Sequence, residues 1–247
     1  MCSCPKWERA VSQPQQSSVR NRLLKALSPD DFALLQPHLE PMTTELRQQL
    51  IAPNTQIKQL FFPEVGFCSI TTSGSGGKVE IGLIGREGIV GASPMLLGSD
   101  RTPHDHFIQS AGEVLSINTE ALCVAVAHSA SLRKLLLRSI QVQMIQTAQT
   151  AFVNATYTLD VRLTRWLLMC QDRIGGDELY LTHEFLSLML GAQRSSTTLA
   201  IQSLEGHRLI KARRGCITLR DREALEAVAD AGYGLPEAEF ARLIEGA

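Results

Sequence analysis

The chain has 247 residues, a formal net charge of −1 and 44% hydrophobic residues. This composition suits one large or two small folded domains and excludes a chain that is disordered throughout. No uncharged apolar run reaches ~18 residues and no apolar segment follows the first charges, so we expect neither a membrane span nor a secretory signal. Six scattered cysteines without a paired framework predict reduced thiols in a cytoplasmic protein.

The first half of the chain passes from a polar tail into a β-rich region. Residues 1–20 are rich in Ser and Gln, which predicts disorder, and the apolar spacing over 21–39 predicts two short helices. Short alternating apolar runs over 41–118, separated by glycine-rich turns, predict an antiparallel β region with a hairpin at 73–78. This hairpin is favoured over a phosphate-binding loop, because strand-like residues follow its glycines instead of a helix.

Two histidines in the β-rich region are the first candidates for a metal site. His104 and His106 would share one face of a strand. A zinc site needs a third protein ligand, and none is evident nearby. Histidines in a loop or on a strand surface are therefore the preferred interpretation.

A long helix is predicted over 131–157. Residues at alternating steps of three and four form the a/d pattern of a coiled coil, which predicts a homodimer. The residues predicted at this seam are Leu137, Ile140, Met144, Thr147 and Ala151. Ile145 and Phe152 lie off the seam and are expected to pack on the β region. A single helix buried inside a monomer is the alternative; the glutamines at 141, 143, 146 and 149 favour the dimer because they indicate solvent contact.

The sequence from 182 to 205 predicts two short helices joined by a tight turn. Thr182 can cap the first helix, and Gly191 can end it in the left-handed conformation. The second helix is predicted from about Gln193 to Glu205, with Leu199, Ile201 and Leu204 buried. Its exposed N-terminal end carries Arg194, Ser195, Ser196 and Thr198. This arrangement is typical of a helix-turn-helix that reads the DNA major groove.

Two strand-like segments follow, around the cationic turn Arg213-Arg214-Gly215. Between Arg194 and Arg220 the chain carries six cations and one anion, a local balance of 6 − 1 = +5 in a chain of net charge −1. Concentrated positive charge supplies most non-specific DNA affinity through phosphate contacts. The sequence thus predicts a winged helix-turn-helix with double-stranded DNA as its partner, whereas a solvated basic face on a helical hairpin is the alternative. The predicted DNA-binding residues are Thr182, Gln193, Arg194, Ser195, Ser196, Thr198, Arg213 and Arg214.

The order of these regions, together with the segments 85–98 (GREGIVGASPMLLG), 162–168 (RLTRWLL) and 181–210, resembles the Crp/Fnr family of bacterial transcription regulators. The resemblance covers about 21–226. It implies an α+β fold with an N-terminal antiparallel β-roll over 21–130 that resembles a cyclic-nucleotide-binding domain. A dimerisation helix over 131–157 and a C-terminal winged helix-turn-helix over 158–228 would follow. The acidic stretch 229–247 has a solvated cap on the DNA-binding domain as its simplest interpretation.

Such a resemblance implies a homodimer whose two recognition helices enter successive major grooves of a pseudo-palindrome. RNA polymerase is a further partner of such regulators, although no sequence pattern marks a surface for it. Arg194 matches the family arginine that contacts a guanine. Many relatives then have a glutamate and an arginine where this chain has Ser195 and Leu199, so its operator should differ. No nucleophile–base pair or paired carboxylates are evident, so no enzymatic activity is expected.

The effector site departs from the family pattern. Relatives that bind cyclic nucleotides have Gly-Glu where this chain has Gly91-Ala92, so the carboxylate for the ribose is missing. Arg101 and Thr102 can still supply an arginine and a hydroxyl, which makes Gly91, Ala92, Arg101 and Thr102 the candidate effector-binding residues. A cyclic nucleotide is disfavoured; another effector, or a ligand-independent regulator with a vestigial sensor domain, is preferred.

An iron–sulfur cluster is also disfavoured. Oxygen-sensing relatives hold one on four cysteines, three of them closely spaced near the N-terminus, whereas this chain offers only Cys2 and Cys4 there. No cofactor is therefore identified.

Overall fold

The computed structural model describes residues 13–75 and 77–246. Most of the predicted disordered tail, residues 1–12, lies outside the described residues. For residues 13–20 the prediction of disorder is wrong: Val19 is buried in the N-terminal core, and the Gln16 side-chain amide donates to the carbonyl of Leu27. A single apolar anchor and backbone hydrogen bonds hold this polar segment in place.

The described residues form a mixed fold of helices and antiparallel strands, and three short turns of tighter or wider helix (Gln36–His38, Asp230–Gly232, Ala241–Glu245) accompany them. The helices are α1 (Arg22–Lys25), α2 (Pro29–Leu35), α3 (Ala92–Leu96), α4 (Thr119–His128), α5 (Ala130–Thr156), α6 (Leu159–Ile174), α7 (His183–Leu190), α8 (Arg194–Gly206), α9 (Arg222–Ala229) and α10 (Leu235–Phe240). The strands are β1 (Glu40–Thr44), β2 (Gln49–Ile51), β3 (Gln59–Gly74), β4 (Gly77–Ile84), β5 (Asp105–Asn118), β6 (Glu178–Leu179), β7 (Ile210–Arg213) and β8 (Cys216–Leu219). Among these elements no helix combines the length and the apolar character needed to cross a bilayer.

The N-terminal sheet is built on two long strands. β3 and β5 pair in antiparallel fashion from Gln59↔Asn118 to Thr71↔Asp105, and β1, β2 and β4 complete the sheet around them. The β3–β4 hairpin closes at Gly74↔Gly77, as the glycine-rich turn predicts. The predicted antiparallel β region, long helix and C-terminal helix-turn-helix are confirmed. We call 21–130 the β domain, 158–228 the reader and 229–246 the tail.

The tail does not form a solvated cap on the reader. Phe240 and Ile244 are buried in the same hydrophobic core as Leu23 of the β domain and Leu136 of α5. The Arg22 guanidinium stacks over the Phe240 ring at 4.4 Å and pairs with a carboxylate near the C-terminus of the tail. The interpretation of the tail as a solvated cap is therefore wrong. The acidic composition of the tail concealed the two apolar residues that anchor it.

Helix α5 spans 27 residues and has one buried and one exposed side. The buried side includes two of the four glutamines predicted to contact solvent, Gln146 and Gln149, so the prediction is wrong for these two. Gln146 accepts a hydrogen bond from the Leu83 amide (2.8 Å), and Gln149 donates to the Ala231 carbonyl (2.7 Å). Phe152, expected to pack on the β region, is half exposed because these polar side chains occupy the inner side of the helix.

A second hydrophobic cluster joins the β domain to the reader. Phe67, Leu83 and Phe107 of the sheet pack in the same cluster as Leu163 and Trp166 of α6. The reader therefore rests on the β domain through shared core contacts, while the tail returns to the other core. Each half of the chain completes the hydrophobic core of the other.

Phe240→Ala tests whether the tail contributes to stability. Removing a buried phenylalanine should lower the free energy of unfolding by about 3–5 kcal/mol. Chemical denaturation followed by circular dichroism measures this. Leu235→Ala in the same helix is the matched control, because Leu235 is exposed, and it should change stability by less than about 0.5 kcal/mol. Equal, small effects of both substitutions would contradict the role of the tail.

Candidate nucleic-acid interface

The turn between α7 and α8 is fixed by local hydrogen bonds. The Thr182 hydroxyl accepts a hydrogen bond from the Phe185 amide (3.2 Å) and caps α7. Gly191 ends this helix at φ +57°, and the Ala192 amide donates back to the Ser187 carbonyl (2.9 Å). Gly191 also lies against Val79 of the β3–β4 hairpin, where a Cβ atom would be 3.1 Å from that side chain. The turn thus needs glycine for its backbone conformation, and its contact with Val79 leaves little room for a side chain.

The buried face of α8 differs from the prediction. Thr197, Ala200, Ile201 and Leu204 are buried, at the spacing of one side of a helix. Leu199, predicted to be buried, is 66% exposed because it lies on the opposite side. Thr197 takes the inner position without cost, since its hydroxyl donates to the Gln193 carbonyl (3.1 Å).

The outer side of α8 begins with exposed polar residues. Gln193 precedes the helix in an extended conformation, and the side chains of Arg194, Ser195 and Ser196 are exposed in its first turn. Thr198 is only half-buried, but its hydroxyl donates to the Arg194 carbonyl (2.9 Å) and so is less available than the two serines. The exposed end of α8 offers one guanidinium and two free hydroxyls.

The predicted wing is a small antiparallel sheet of β6, β8 and β7. Arg213 pairs with Cys216, which leaves Arg214-Gly215 as the tip of the hairpin, with Gly215 at φ +75°. The Gly215 carbonyl accepts from the Leu181 amide (2.9 Å) just before α7. Both arginines are exposed at a tip that is held next to the start of α7.

Charge around the wing is strongly positive. Within the part of the chain that the structure describes, none of the six cations between 194 and 220 forms an ion pair. The single anion, Glu205, accepts a hydrogen bond from the Ala212 amide (2.7 Å) and ties α8 to β7. The cations of the reader therefore remain available for an external polyanion.

A buried carboxylate links the β domain to the first helix of the reader, and the sequence did not reveal it. Both oxygens of Glu80 accept hydrogen bonds of 2.6 Å, one from the Ser69 hydroxyl and one from the Trp166 indole. Burial raises the pKa of Glu80 to about 7, although these donors and the nearby Arg173 and Arg165 act in the opposite direction. The one signal in the sequence for this hydrogen bond is Trp166 itself, a tryptophan in the helix that follows the β region and the long helix.

An ion pair reinforces the same junction. Arg173 near the end of α6 is buried and contacts Glu87 of the β domain at 2.6 Å, and it also donates to the Met169 carbonyl. Burial acts to lower the pKa of Arg173, but Glu87 and Glu237 raise it above its usual value. The reader is thus held on the β domain by a tryptophan–carboxylate bond and a buried ion pair.

The four candidate effector-binding residues occupy different environments. Gly91 has φ +88°, and a Cβ atom there would lie 2.6 Å from the side chain of Ile51. Ala92 and Thr102 are buried, whereas Arg101 is exposed and paired with Asp100 (2.8 Å). The cavity beside Ala92, between α3 and α5, measures about 30 Å³, and neither Arg101 nor Thr102 lines it.

The histidines and cysteines do not assemble a metal site in the described residues. His106 is buried, contrary to the expectation of a surface position, and burial lowers its pKa to about 4. It lies on β5 at the centre of the sheet, opposite Ile70. Cys68 and Cys170 are buried, and burial raises the pKa of both thiols, which makes them unreactive. Cys2 and Cys4 lie outside the described residues.

Comparisons with known proteins find the same helix-turn-helix and the same overall fold in other proteins. Residues 161–228 match the family model of the Crp-like helix-turn-helix domain. Similar solved structures include a protein from Eubacterium rectale assigned to the Crp/Fnr family of transcriptional regulators (18% identity, 84% of this chain and 97% of that chain, TM-score 0.66). Others are the c-di-GMP responsive global regulator CLP from Xanthomonas campestris (16%, 78% and 100%, TM-score 0.64) and FixK2 from Bradyrhizobium japonicum (12%, 78% and 98%, TM-score 0.66). A search among curated protein sequences finds no match. At these identities the similar structures show a common fold.

Glu80→Gln tests the buried junction through its pH dependence. The pKa of Glu80 is raised from 4.5 to about 7, so the folded protein binds a proton that the unfolded chain releases. Stability from this group is present below about pH 4.5 and is lost as the pH rises towards about 7. Glutamine imitates the protonated carboxyl. Relative to Glu80→Gln, the unsubstituted protein should lose up to about 3 kcal/mol between pH 5 and pH 8.

Denaturation followed by Trp166 fluorescence in a Trp7→Phe background measures this difference. Glu113→Gln, an exposed position in β5, is the matched control. A constant difference between Glu80→Gln and the unsubstituted protein across this pH range would contradict the assignment.

Proposed function

We propose that this chain, which has the fold of Crp/Fnr transcriptional regulators and a Crp-like helix-turn-helix domain at 161–228, binds a pseudo-palindromic operator as a homodimer and regulates transcription. The observation that carries the proposal is the combination, in one domain, of an exposed polar start of α8 with a cationic wing whose arginines form no ion pair among the described residues. DNA offers the matching shape and charge, a major groove bounded by phosphates.

Two kinds of contact are assigned on this surface. Arg194, Ser195 and Ser196 at the exposed start of α8 enter the major groove, where the guanidinium makes a bidentate contact with a guanine. Arg213 and Arg214 at the wing tip contact phosphates, as do Thr182 and Gln193 at the starts of the two helices. Thr198 has a smaller role than its position alone suggests, because its hydroxyl is used inside α8.

The exposed side of α5 supports the homodimer. Leu137 and Met144 are 40% and 63% exposed, and Thr147 and Ala151 continue the same stripe of exposed residues. Large apolar side chains at heptad spacing on one exposed helix side are characteristic of a dimer seam. Ile140 is buried within its own chain and is replaced at the seam by its neighbour Gln141, which is exposed.

A regulator that works without a bound effector is the second candidate function. A cavity of about 30 Å³ beside Ala92 has room for roughly one water molecule. A nucleotide at this place would require α5 to move away from α3. This closed arrangement favours a regulator whose activity follows its abundance over one that binds a cyclic nucleotide beside Ala92.

Arg194→Ala and Arg214→Ala should weaken DNA binding in different ways. Loss of Arg194 should lower the affinity for the selected operator by about 1–3 kcal/mol and change the affinity for random DNA little, since a base contact is removed. Loss of Arg214 should weaken both alike and reduce the slope of log affinity against log salt by about one.

Selection of an operator from a random DNA pool, followed by fluorescence anisotropy at several salt concentrations, measures both effects. Arg20→Ala, an exposed arginine outside the reader, is the control. If Arg194→Ala weakens operator and random DNA equally, the base contact is wrong; if no duplex is enriched at all, the proposed function fails.

Met144→Glu should disrupt the homodimer. It places a charge at the symmetric seam in both copies and removes two methionines from it, so the dimer should weaken by more than about 3 kcal/mol. Sedimentation velocity over a range of concentrations measures the change. Leu46→Glu is the control, because Leu46 is similarly exposed but lies in the β1–β2 turn. A dimer unaffected by Met144→Glu would place the interface elsewhere.

A further inference from the structure

The outer side of α8 carries one large apolar residue among polar ones. Leu199 is 66% exposed, whereas the other large apolar residues of this helix, Ile201 and Leu204, are buried. The fold of the reader therefore does not require a leucine at this position. If this surface faces DNA as proposed, Leu199 gains most from contact with an apolar group of the DNA.

The position of Leu199 along α8 gives it access to bases. Residues three and four apart lie on the same side of a helix, so Leu199 shares a side with Ser195 and Ser196, one turn further along. All three side chains are exposed. When the first turn of α8 lies in the major groove, the two serines contact one part of the half-site and Leu199 faces the neighbouring base pairs.

The major groove offers a single apolar group, the 5-methyl of thymine. The other groups that distinguish the bases in this groove are hydrogen-bond donors and acceptors, which a leucine covers without replacing their water. We propose that Leu199 packs on the 5-methyl group of one thymine in each half-site and is a specificity-determining residue for a T·A pair. This inference rests on the proposed operator binding and specifies one base pair in each half-site of the operator.

The neighbours of Leu199 support an apolar contact. The Thr198 hydroxyl donates to the Arg194 carbonyl within the helix, so the residue before Leu199 presents no free donor. Ala200, which follows, is buried against the core. Between the serines and Gln202, the outer side of α8 thus presents a hydrocarbon surface to the groove.

Replacement of thymine by deoxyuridine removes only the 5-methyl group and tests the contact directly. In a selected operator, each thymine of the half-sites is replaced in turn, symmetrically in both half-sites. Burial of one methyl group corresponds to about a fourfold change in affinity, so the symmetric substitution should weaken binding about sixteenfold at one position. Binding by Leu199→Ala should lose this sensitivity at that position and keep any other.

Leu97→Ala is the matched control, since Leu97 is 65% exposed but lies in the β domain. It should retain the full effect of deoxyuridine. If Leu199→Ala and the unsubstituted protein respond alike to every substitution, or if no thymine is sensitive, the assignment is overturned while operator binding stands. Failure to select any duplex overturns the proposed function itself, so the two failures are distinguishable.

Discussion

The position of the reader on the β domain depends on the buried carboxylate of Glu80. A buried carboxylate is tolerated only when hydrogen bonds and nearby charges replace its water. Ser69 and Trp166 supply those bonds, one from the same sheet and one from α6. Displacement of α6 by even one turn would leave one oxygen of Glu80 without its donor, so this interaction fixes the position of the reader on the β domain. The Arg173–Glu87 pair, about two turns further along α6, imposes the same register.

Helix α5 covers an edge of the N-terminal sheet. The strand order β1-β5-β3-β4 leaves β4 at an edge, and an edge strand presents unpaired backbone groups. Gln146 satisfies the Leu83 amide, and Gly82 next to it allows the close approach of α5, because a Cβ atom would be 3.2 Å from the Gln146 oxygen. The buried glutamines of α5 are thus partners for backbone groups, while Leu137 and Met144 of the same helix remain exposed.

Local patterns in the sequence predicted the long helix, the hairpin, the turn at Gly191 and the wing, because each depends on spacing or on a glycine conformation within a few residues. Predictions failed where side chains act over long distances. Phe240 lies under the Arg22 guanidinium and in the same hydrophobic core as Leu23, more than 200 positions away, and no local pattern records that contact. The burial of Glu80 and of the inner glutamines of α5 was missed for a related reason, since a polar residue is normally assigned to the surface until its partner is known.

The error at Leu199 is of another kind, and it bears on how the reader works. Hydrophobicity assigns leucine to the core and threonine to the surface, but helix geometry reverses them, since Thr197 and not Leu199 is in phase with Ala200, Ile201 and Leu204. The outer side of α8 therefore carries one charge, at Arg194, and little else that attracts phosphates. The other five cations of this region, from Arg208 to Arg220, lie outside α8, in the turn that follows it and in the wing. In the proposed complex with DNA, phosphate attraction and base discrimination thus fall to different elements. The outer residues of α8 could then diverge and change the operator without loss of the charge that attracts phosphates.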